Sequence, residues 1–565
     1  MTPPTPQCPA MTDNLLFEHF TTLATAPDGI PRLRELILQL AVQGKLGTQD
    51  PGDEPAGKLL ERIRKEREQS VKKGLISKSR TLPKIESDEI PYQIPENWNW
   101  LRLNDIGHDC GQKVPDKIFT YIDVTAINKE KGLISDEVSI LHPNEAPSRA
   151  RKIVKKGTVI YSTVRPYLLN IAIINKEFNP EPIVSTAFAV VHPFEGISNR
   201  YLFYYLRSRP FVEYVESQMT GMAYPAINDQ KFHLGLIPVP PTAEQHRIVE
   251  KVDRLMALCD ELEARQQQER AGCLRLGTAS LTALQNSESP EEFGRQWAQV
   301  CEAFEVIFDS PENVATLRQT ILQLAVLGRL VRQEPGDDPA EKLVERIRRE
   351  KGRQVKEGKS KKEKPLEPVH EEEVPFMLPN EWVWTRFGDI ATIETNIVPP
   401  DNFRNLPHVA PDNIEKRTGR LLHYRTVAED DVQSPNHHFY PGQIVYSKIR
   451  PNLSKLTIVD FEGLCSADMY PIYSHIFNQY LKIYMLSLPF YDQAVGDENR
   501  LAMPKINQTQ LNLIYVAIPP LSEQHRIVAK VDALMALCDA LEARLKERAG
   551  VQGRFAAAVG KDISH

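Results

Sequence analysis

The side chains best suited to chemistry sit in a short segment that occurs twice. Ser162-Thr-Val-Arg-Pro-Tyr167 and Ser447-Lys-Ile-Arg-Pro-Asn452 each close a β-branched, aromatic run, Thr158-Val-Ile-Tyr-Ser162 and Gln443-Ile-Val-Tyr-Ser447. A guanidinium in a turn just after a strand can make forked hydrogen bonds to a phosphate or to the edge of guanine. Arg165 and Arg450 are equally open to a second reading, as structural arginines that bridge the turn to a carboxylate. A later loop, Met222-Ala-Tyr-Pro-Ala-Ile-Asn-Asp-Gln-Lys231, pairs with Arg500-Leu-Ala-Met-Pro-Lys-Ile-Asn-Gln-Thr509. In its fixed frame, Ile227 and Ile506 anchor the loop while Asn228 and Asn507 cap a short helix. The variable neighbours Tyr224, Lys231, Arg500 and Lys505 are better placed for ligand contact. Arg149, Arg151, Lys152, Lys155 and Lys156 form a basic run that is either a solvated face or a phosphate-contacting edge. With Tyr167 from its turn, the candidate ligand contacts of module one are Arg151, Lys152, Arg165, Tyr167, Tyr224, Asn228 and Lys231. Those of module two are Lys448, Arg450, Asn452, Arg500, Lys505 and Asn507.

Nothing comparable points to catalysis. No glycine-rich phosphate or cofactor loop follows a strand, and there is no Asn-Pro-Pro-Tyr or Asp-Pro-Pro-Tyr methyltransferase motif, DEAD-type box or HExxH. The seven cysteines are scattered without metal-ligand spacing, and Cys259 and Cys538 fall inside apolar helical patterns as small core residues. His246 and His525 lie at helix starts without a nucleophile beside them, which reads as helix surface. Trp98, Trp100, Trp382 and Trp384 could stack on bases. Flanked by proline at a domain entrance, they read instead as staples between linker and core.

The positioning elements also come in pairs, about 280 residues apart, far beyond a solenoid period. Leu-Gln-Leu-Ala-Val-x-Gly ends at Gly44 and at Gly328, where a left-handed C-cap is wanted. Broad-faced helices precede these glycines, burying Leu36, Leu40 and Leu324. Pro-x-x-Trp-x-Trp occurs at 95–100 and 379–384, and Glu-Gln-His-Arg-Ile-Val at 244–249 and 523–528. After each of the last motifs runs an a/d seam that includes Val252, Leu255 and Leu262, then Val531, Leu534 and Leu541. Thr242 with Gln245 fits a capping box. A helix of roughly 30 residues there would be about 45 Å long. Between the helices lie lysine-rich linkers and two α+β stretches, one helical over 199–215 and the other over 478–494. The N-terminal segment copies the second half of the central helical block and the C-terminal helix its first half, so termini packed together would rebuild a second block. Charge is ordinary at 25% of residues with net −6, which leaves room for local basic surfaces. No apolar run approaches membrane-spanning length, and Met1-Thr-Pro-Pro-Thr-Pro reads as a disordered leader of a cytosolic protein.

These motifs together resemble the specificity subunit of type I restriction–modification systems, over nearly the whole chain. The Leu-Gln-Leu-Ala-Val-x-Gly helix, the Pro-x-x-Trp-x-Trp entrance, the Tyr-Ser-x-x-Arg-Pro turn and the Pro-Pro-x-x-Glu-Gln-His-Arg-Ile-Val exit each occur twice, in the family's order. The resemblance implies an α+β chain in which two α/β target-recognition domains are joined by long antiparallel helical (coiled-coil) conserved regions, as a circular pseudo-twofold repeat. On that frame the segments are a disordered leader (1–13), N-terminal helices and linker (14–88), recognition domain one (89–241), a central helical region and linker (242–373), recognition domain two (374–520) and a C-terminal helix (521–565). A ten-residue N-terminal extension and a helical insertion around 266–310 depart from the minimal family pattern and leave the spacer between half-sites open. The family does no chemistry itself and binds no metal or cofactor. It implies double-stranded DNA as ligand, read as a bipartite asymmetric site through the major groove. It also implies two modification subunits that methylate adenine N6 with S-adenosylmethionine, and restriction subunits that use ATP and Mg, all in the cytoplasm and none at a membrane. Leu36, Leu40, Val252, Leu255, Leu262, Leu324, Val531, Leu534 and Leu541 would then serve helix pairing and partner binding. A competing reading is a non-catalytic helical scaffold whose mixed domains bind protein rather than DNA.

Overall fold

The computed structural model describes residues 9–74, 76, 82–221, 224–287, 289–357, 366–370, 372–496 and 505–564. They fall into two compact units: Met1–Gln268 with Arg548–His565, and Glu269–Glu547.

Unit one opens with helices Pro9–Thr25, Gly29–Val42 and Ala56–Lys72. The first begins inside the stretch read as a disordered leader, so residues 9–13 are helical. Leu16 and Phe20, Leu36 and Leu40, Val252, Leu255 and Cys259, and finally Ala556 and Ile563 share one core, with Leu262 at its margin. The two ends of the chain therefore do bury apolar surface together.

Module one is framed by strands Asn99–Arg102 and Leu236–Val239, which pair antiparallel and close it off. Inside are two sheets. One has four strands, ordered Ser139–Leu141, Phe119–Ile122, Pro182–Ser185, Ala150–Ile153. The other has six strands, with Val159–Ser162 at its centre, paired antiparallel to Ile171–Ile173 and Phe188–Pro193. Val159–Ser162 and Ile171–Ile173 are buried throughout, which explains their unbroken apolar runs. The helical stretch expected over 199–215 is two helices, Asn199–Leu206 and Arg209–Gln218, because Pro210 starts a new one.

Unit two repeats the plan. It holds helices Pro290–Glu302, Phe304–Ile307, Pro311–Val326 and Ala340–Lys356, then a module closed by Val383–Arg386 against Tyr515–Ile518. Its central strand Ile444–Ser447 pairs with Leu456–Ile458 and Met469–Ser474. A second sheet of five strands lies beside it, one more than its counterpart in module one. Val531 belongs to the core, Leu534 and Leu541 pack against it, and Leu324 is buried. The exit helices Thr242–Asn286 and Leu521–Ser564 have 45 and 44 residues, longer than the 30 or so read from the seam, because Gly272 and Gly277 do not break the first. Gly277 has a positive use: a Cβ there would meet Asn313 Oδ1 at 3.1 Å and Ile307 at 3.2 Å. The pairing leucines and valines are thus taken up largely inside the chain's own cores, and the fully buried Leu40 and Val252 have no surface left for a partner.

Three of the four repeated motifs meet at one junction in each unit. Gly44 (φ +72°) and Gly328 (φ +69°) end their helices in the left-handed region, and a Cβ on either would lie 2.5 or 2.4 Å from the entrance proline, Pro95 or Pro379. Trp98 Nε1 donates to Glu244 Oε2 at 2.8 Å, and Trp382 Nε1 to Glu523 Oε2 at 3.0 Å. Both carboxyls are buried, which pushes them above the ordinary glutamate value, while the indole and the nearby Arg247 or Arg526 pull the other way. Gln245 accepts from Ser198 N at 2.8 Å and donates to Gly196 O and Pro240 O; Gln524 accepts from Phe477 N at 3.1 Å and donates to Pro519 O. The capping box expected of Thr242 and Gln245 is absent, because both side chains instead reach the Gly196 carbonyl. Arg247 pairs with Asp53 and Arg526 with Asp337, each in the turn after the glycine-capped helix.

Replacing Trp98 or Trp382 by Phe keeps an aromatic ring but strips the N–H from a buried acceptor. Each substitution should cost about 1.5–3 kcal/mol, read as a lower urea midpoint by far-UV circular dichroism. An unchanged midpoint would contradict the junction.

Candidate nucleic-acid interface

The fourth repeated motif lies away from the junction. Its tyrosines, Tyr161 and Tyr446, are buried on the central strand, where burial pushes both phenols up and keeps them neutral. They pack edge-on against Phe211 and Phe490. The next residue folds the turn: Ser162 Oγ donates to Val164 O at 3.0 Å and Ser447 Oγ to Ile449 O at 2.9 Å. Thr163 N then donates to Ala187 O, as Lys448 N does to Asp468 O.

At the apex both arginines are left-handed, Arg165 at φ +48°, ψ +55° and Arg450 at φ +47°, ψ +57°. The following prolines are buried and start a short 3-10 turn. A non-glycine residue held there costs about 1–3 kcal/mol, so the surroundings must enforce it. They do so through the second loop. Ile227 N donates to Thr163 O at 3.0 Å and Ile506 N to Lys448 O at 2.9 Å; Val164 bridges Ala226 and Ile449 bridges Lys505. Ile227 and Ile506 are buried anchors, and Asn228 and Asn507 cap the helices that follow, accepting from Lys231 N and Gln510 N.

The guanidinium groups of Arg165 and Arg450 are exposed and make no ion pair among the described residues, which argues against the carboxylate-bridging reading. Arg165 lies over the Tyr224 ring, 5.0 Å from its centroid. Tyr224 is 69% exposed and Tyr167 44%, and Val164 and Leu168 are exposed beside them. These two apolar residues were not singled out in the sequence: Val164 stands where the second turn has Ile449, and Leu168 where it has Leu453, so neither position changes character between the turns. Module two presents a more polar tip, with Asn452 exposed, Lys448 Nζ over the Tyr470 ring at 5.2 Å, and Lys505 Nζ 3.7 Å from Asp468. Burial, with Lys448 nearby, holds the His437 imidazole below its ordinary value. Arg500 lies outside the described residues.

Other candidates lie elsewhere. Lys152 is buried: its Nζ donates to Phe188 O at 2.6 Å and pairs with Asp229, so it is a core cation and no phosphate contact. Strand alternation accounts for it, placing Ala150 and Lys152 inward and Arg151 and Ile153 half-out. Arg151 is half-buried and donates to Ala150 O, Arg149 pairs with Asp123, and Lys231 Nζ reaches Gln218 O at 3.4 Å. The tryptophans are staples: Trp98 and Trp382 are buried at the junction, and Trp100 and Trp384 pack against Tyr92 and Phe376. His246 and His525 are exposed on their helices. Among the described residues no group of three or more His, Cys, Asp or Glu could hold a metal, and no helix is long and apolar enough to cross a membrane.

Lys152→Met should lower the stability of module one by about 1–3 kcal/mol, measured as a drop in thermal midpoint. A surface lysine would leave the midpoint nearly unchanged.

Comparison with known proteins gives one answer. The type I restriction modification DNA specificity domain matches residues 95–270 and 379–549, one match per module. The specificity subunit of the Escherichia coli type I restriction enzyme EcoAI is 34% identical, covering 92% of this chain and 91% of that protein. The EcoEI specificity subunit, also from Escherichia coli, is 32% identical over 94% and 93%. A solved chain, described under the structural basis of complex assembly and conformational transition of the type I R-M system, shares the fold at a TM-score of 0.53 and 22% identity, covering 84% of this chain and 99% of that one. Matched once in each module and alike to two specificity subunits over more than nine-tenths of its length, the chain belongs to the type I restriction–modification specificity-subunit family.

Proposed function

We propose that the chain is the DNA-reading subunit of a type I restriction–modification complex, each module reading one half of a bipartite, asymmetric site in double-stranded DNA. The observation that carries this is the repeated arginine turn: one strained, exposed geometry in both modules, surrounded by different side chains. Two modules with the same frame suit a ligand with the same backbone at both places. Unlike tips, aromatic in one and polar in the other, suit different bases. On this reading Arg165 and Arg450 hold what all sites share, while Tyr167, Tyr224, Asn452 and Lys505 discriminate.

The chain would do no chemistry itself. Two modification subunits would bind S-adenosylmethionine and methylate adenine N6, restriction subunits would supply the ATP- and Mg-dependent motor and nuclease, and the assembly would work in the cytoplasm. The match of both modules to a DNA specificity domain runs against a protein-binding scaffold.

Long-read methylation mapping in a host expressing this chain with its modification subunits tests the proposal. The expected result is one bipartite, asymmetric N6-methyladenine motif. No motif from a verified, assembled complex would favour the scaffold. Within the same complex, Arg165→Ala and Arg450→Ala should each weaken binding by about 1.5–3 kcal/mol in fluorescence anisotropy without lowering the thermal midpoint, and wild-type affinity in both would remove the arginines from the interface.

A further inference from the structure

The helices that lead into the modules carry a feature the recognition tips do not explain. On Ala56–Lys72, residues Lys58, Arg62, Lys65 and Lys72 are all exposed. On Ala340–Lys356, the equivalent Lys342, Arg346, Arg349 and Lys356 are exposed too, and Arg353 joins them where the first helix has Gln69. The spacing is four, three, four and three residues, so at 3.6 residues per turn each set falls within an arc of about 80°. Leu59 and Ile63, or Leu343 and Ile347, are buried on the far side. Each helix therefore presents a straight basic stripe about 21 Å long, with a cation every ~5 Å on the fuller one.

We propose that these stripes are a second DNA-contacting surface, gripping phosphates without regard to sequence. This rests on the DNA-reading function above and extends it beyond the modules. Overall composition does not produce the stripes, because the chain is net −6. The helix dipole does not either: it favours Lys72 and Lys356 in the last turn but disfavours Lys58 and Lys342 near the start. The acidic neighbours of the second stripe, such as Glu345 with Arg349 and Asp338 with Lys342, form exposed pairs on the same helix or its flank. Pairs of that kind are weak and readily exchanged for phosphate. The stripe recurs with its sign kept at four positions out of five, next to two modules whose tips differ. A partner that runs past both modules and presents the same regularly spaced negative charge to each is duplex DNA.

The test uses the complex with its modification subunits, carrying Lys58→Gln/Arg62→Gln/Lys65→Gln or Arg346→Gln/Arg349→Gln/Arg353→Gln. Binding to a duplex bearing the mapped site and to a scrambled duplex of equal length is titrated against KCl. Each phosphate contact contributes about 0.9 to the slope of log affinity against log salt, so each triple variant should reduce the slope by about 2–3. Affinity should fall by the same factor on both duplexes, the methylated motif should not change, and Arg346→Lys/Arg349→Lys/Arg353→Lys should keep the wild-type slope. Unchanged slopes in both Gln variants overturn the proposal. Loss of modification subunits from the purified complex would instead assign the stripes to an acidic protein surface. Failure of the wild-type complex to prefer its own site would count against the DNA-reading function itself.

Discussion

A buried glutamate that accepts an indole N–H holds each recognition module to the helix that leaves it. Glu244 and Glu523 stand at the first turn of the exit helices, and Trp98 and Trp382 stand at the entrance strands. Around that bond the neighbouring residues divide the remaining attachments. The glutamine ties down the start of a module helix, through Ser198 in one unit and Phe477 in the other. The arginine two positions on grips the turn behind the glycine-capped helix. Removing a buried partner leaves a desolvated carboxylate, so the bond is costly to break and its geometry is hard to shift. The module's outer surface can therefore vary while its placement on its own unit stays fixed.

That separation accounts for the two kinds of repetition. Motifs kept nearly letter for letter meet at the junction, where the tryptophan, glutamate, glutamine and arginine each find a partner. The Tyr-Ser-x-x-Arg-Pro turn is kept for a different reason: its tyrosine, serine and proline build a left-handed apex that leaves one guanidinium in solvent. The second unspecified position, Val164 or Ile449, and the residue after proline, Tyr167 or Asn452, differ between the modules and lie at the tips.

Much of this was legible in the chain. The seam from Val252 to Leu262, the glycine caps and the asparagine caps each follow from local periodicity or a local hydrogen bond. The tryptophans could be read as staples, but not to what, because Trp98 and Glu244 are 146 residues apart in sequence, with the whole module between them. Tertiary partners likewise overrode the local capping box at Thr242. Lys152 was misread because a run of cations looks solvated until the strand's twofold alternation is imposed, and its counter-charge, Asp229, is distant in sequence. The carboxylate-or-ligand ambiguity of Arg165 could not be resolved from sequence, since either role needs the same exposed turn.

If the junction fixes the placement of each module in its unit and the tip fixes what it reads, exchanging one module's interior for the other's must change the site and leave assembly intact. A chimera in which residues 103–235 are replaced by residues 387–514 tests this, exchanging everything between the two closing strands and leaving both indole–glutamate bonds in place. The chimera should assemble and methylate a new motif in which the module-two half-site occurs twice, in symmetric arrangement. An assembled chimera that still methylates the original asymmetric motif would contradict it.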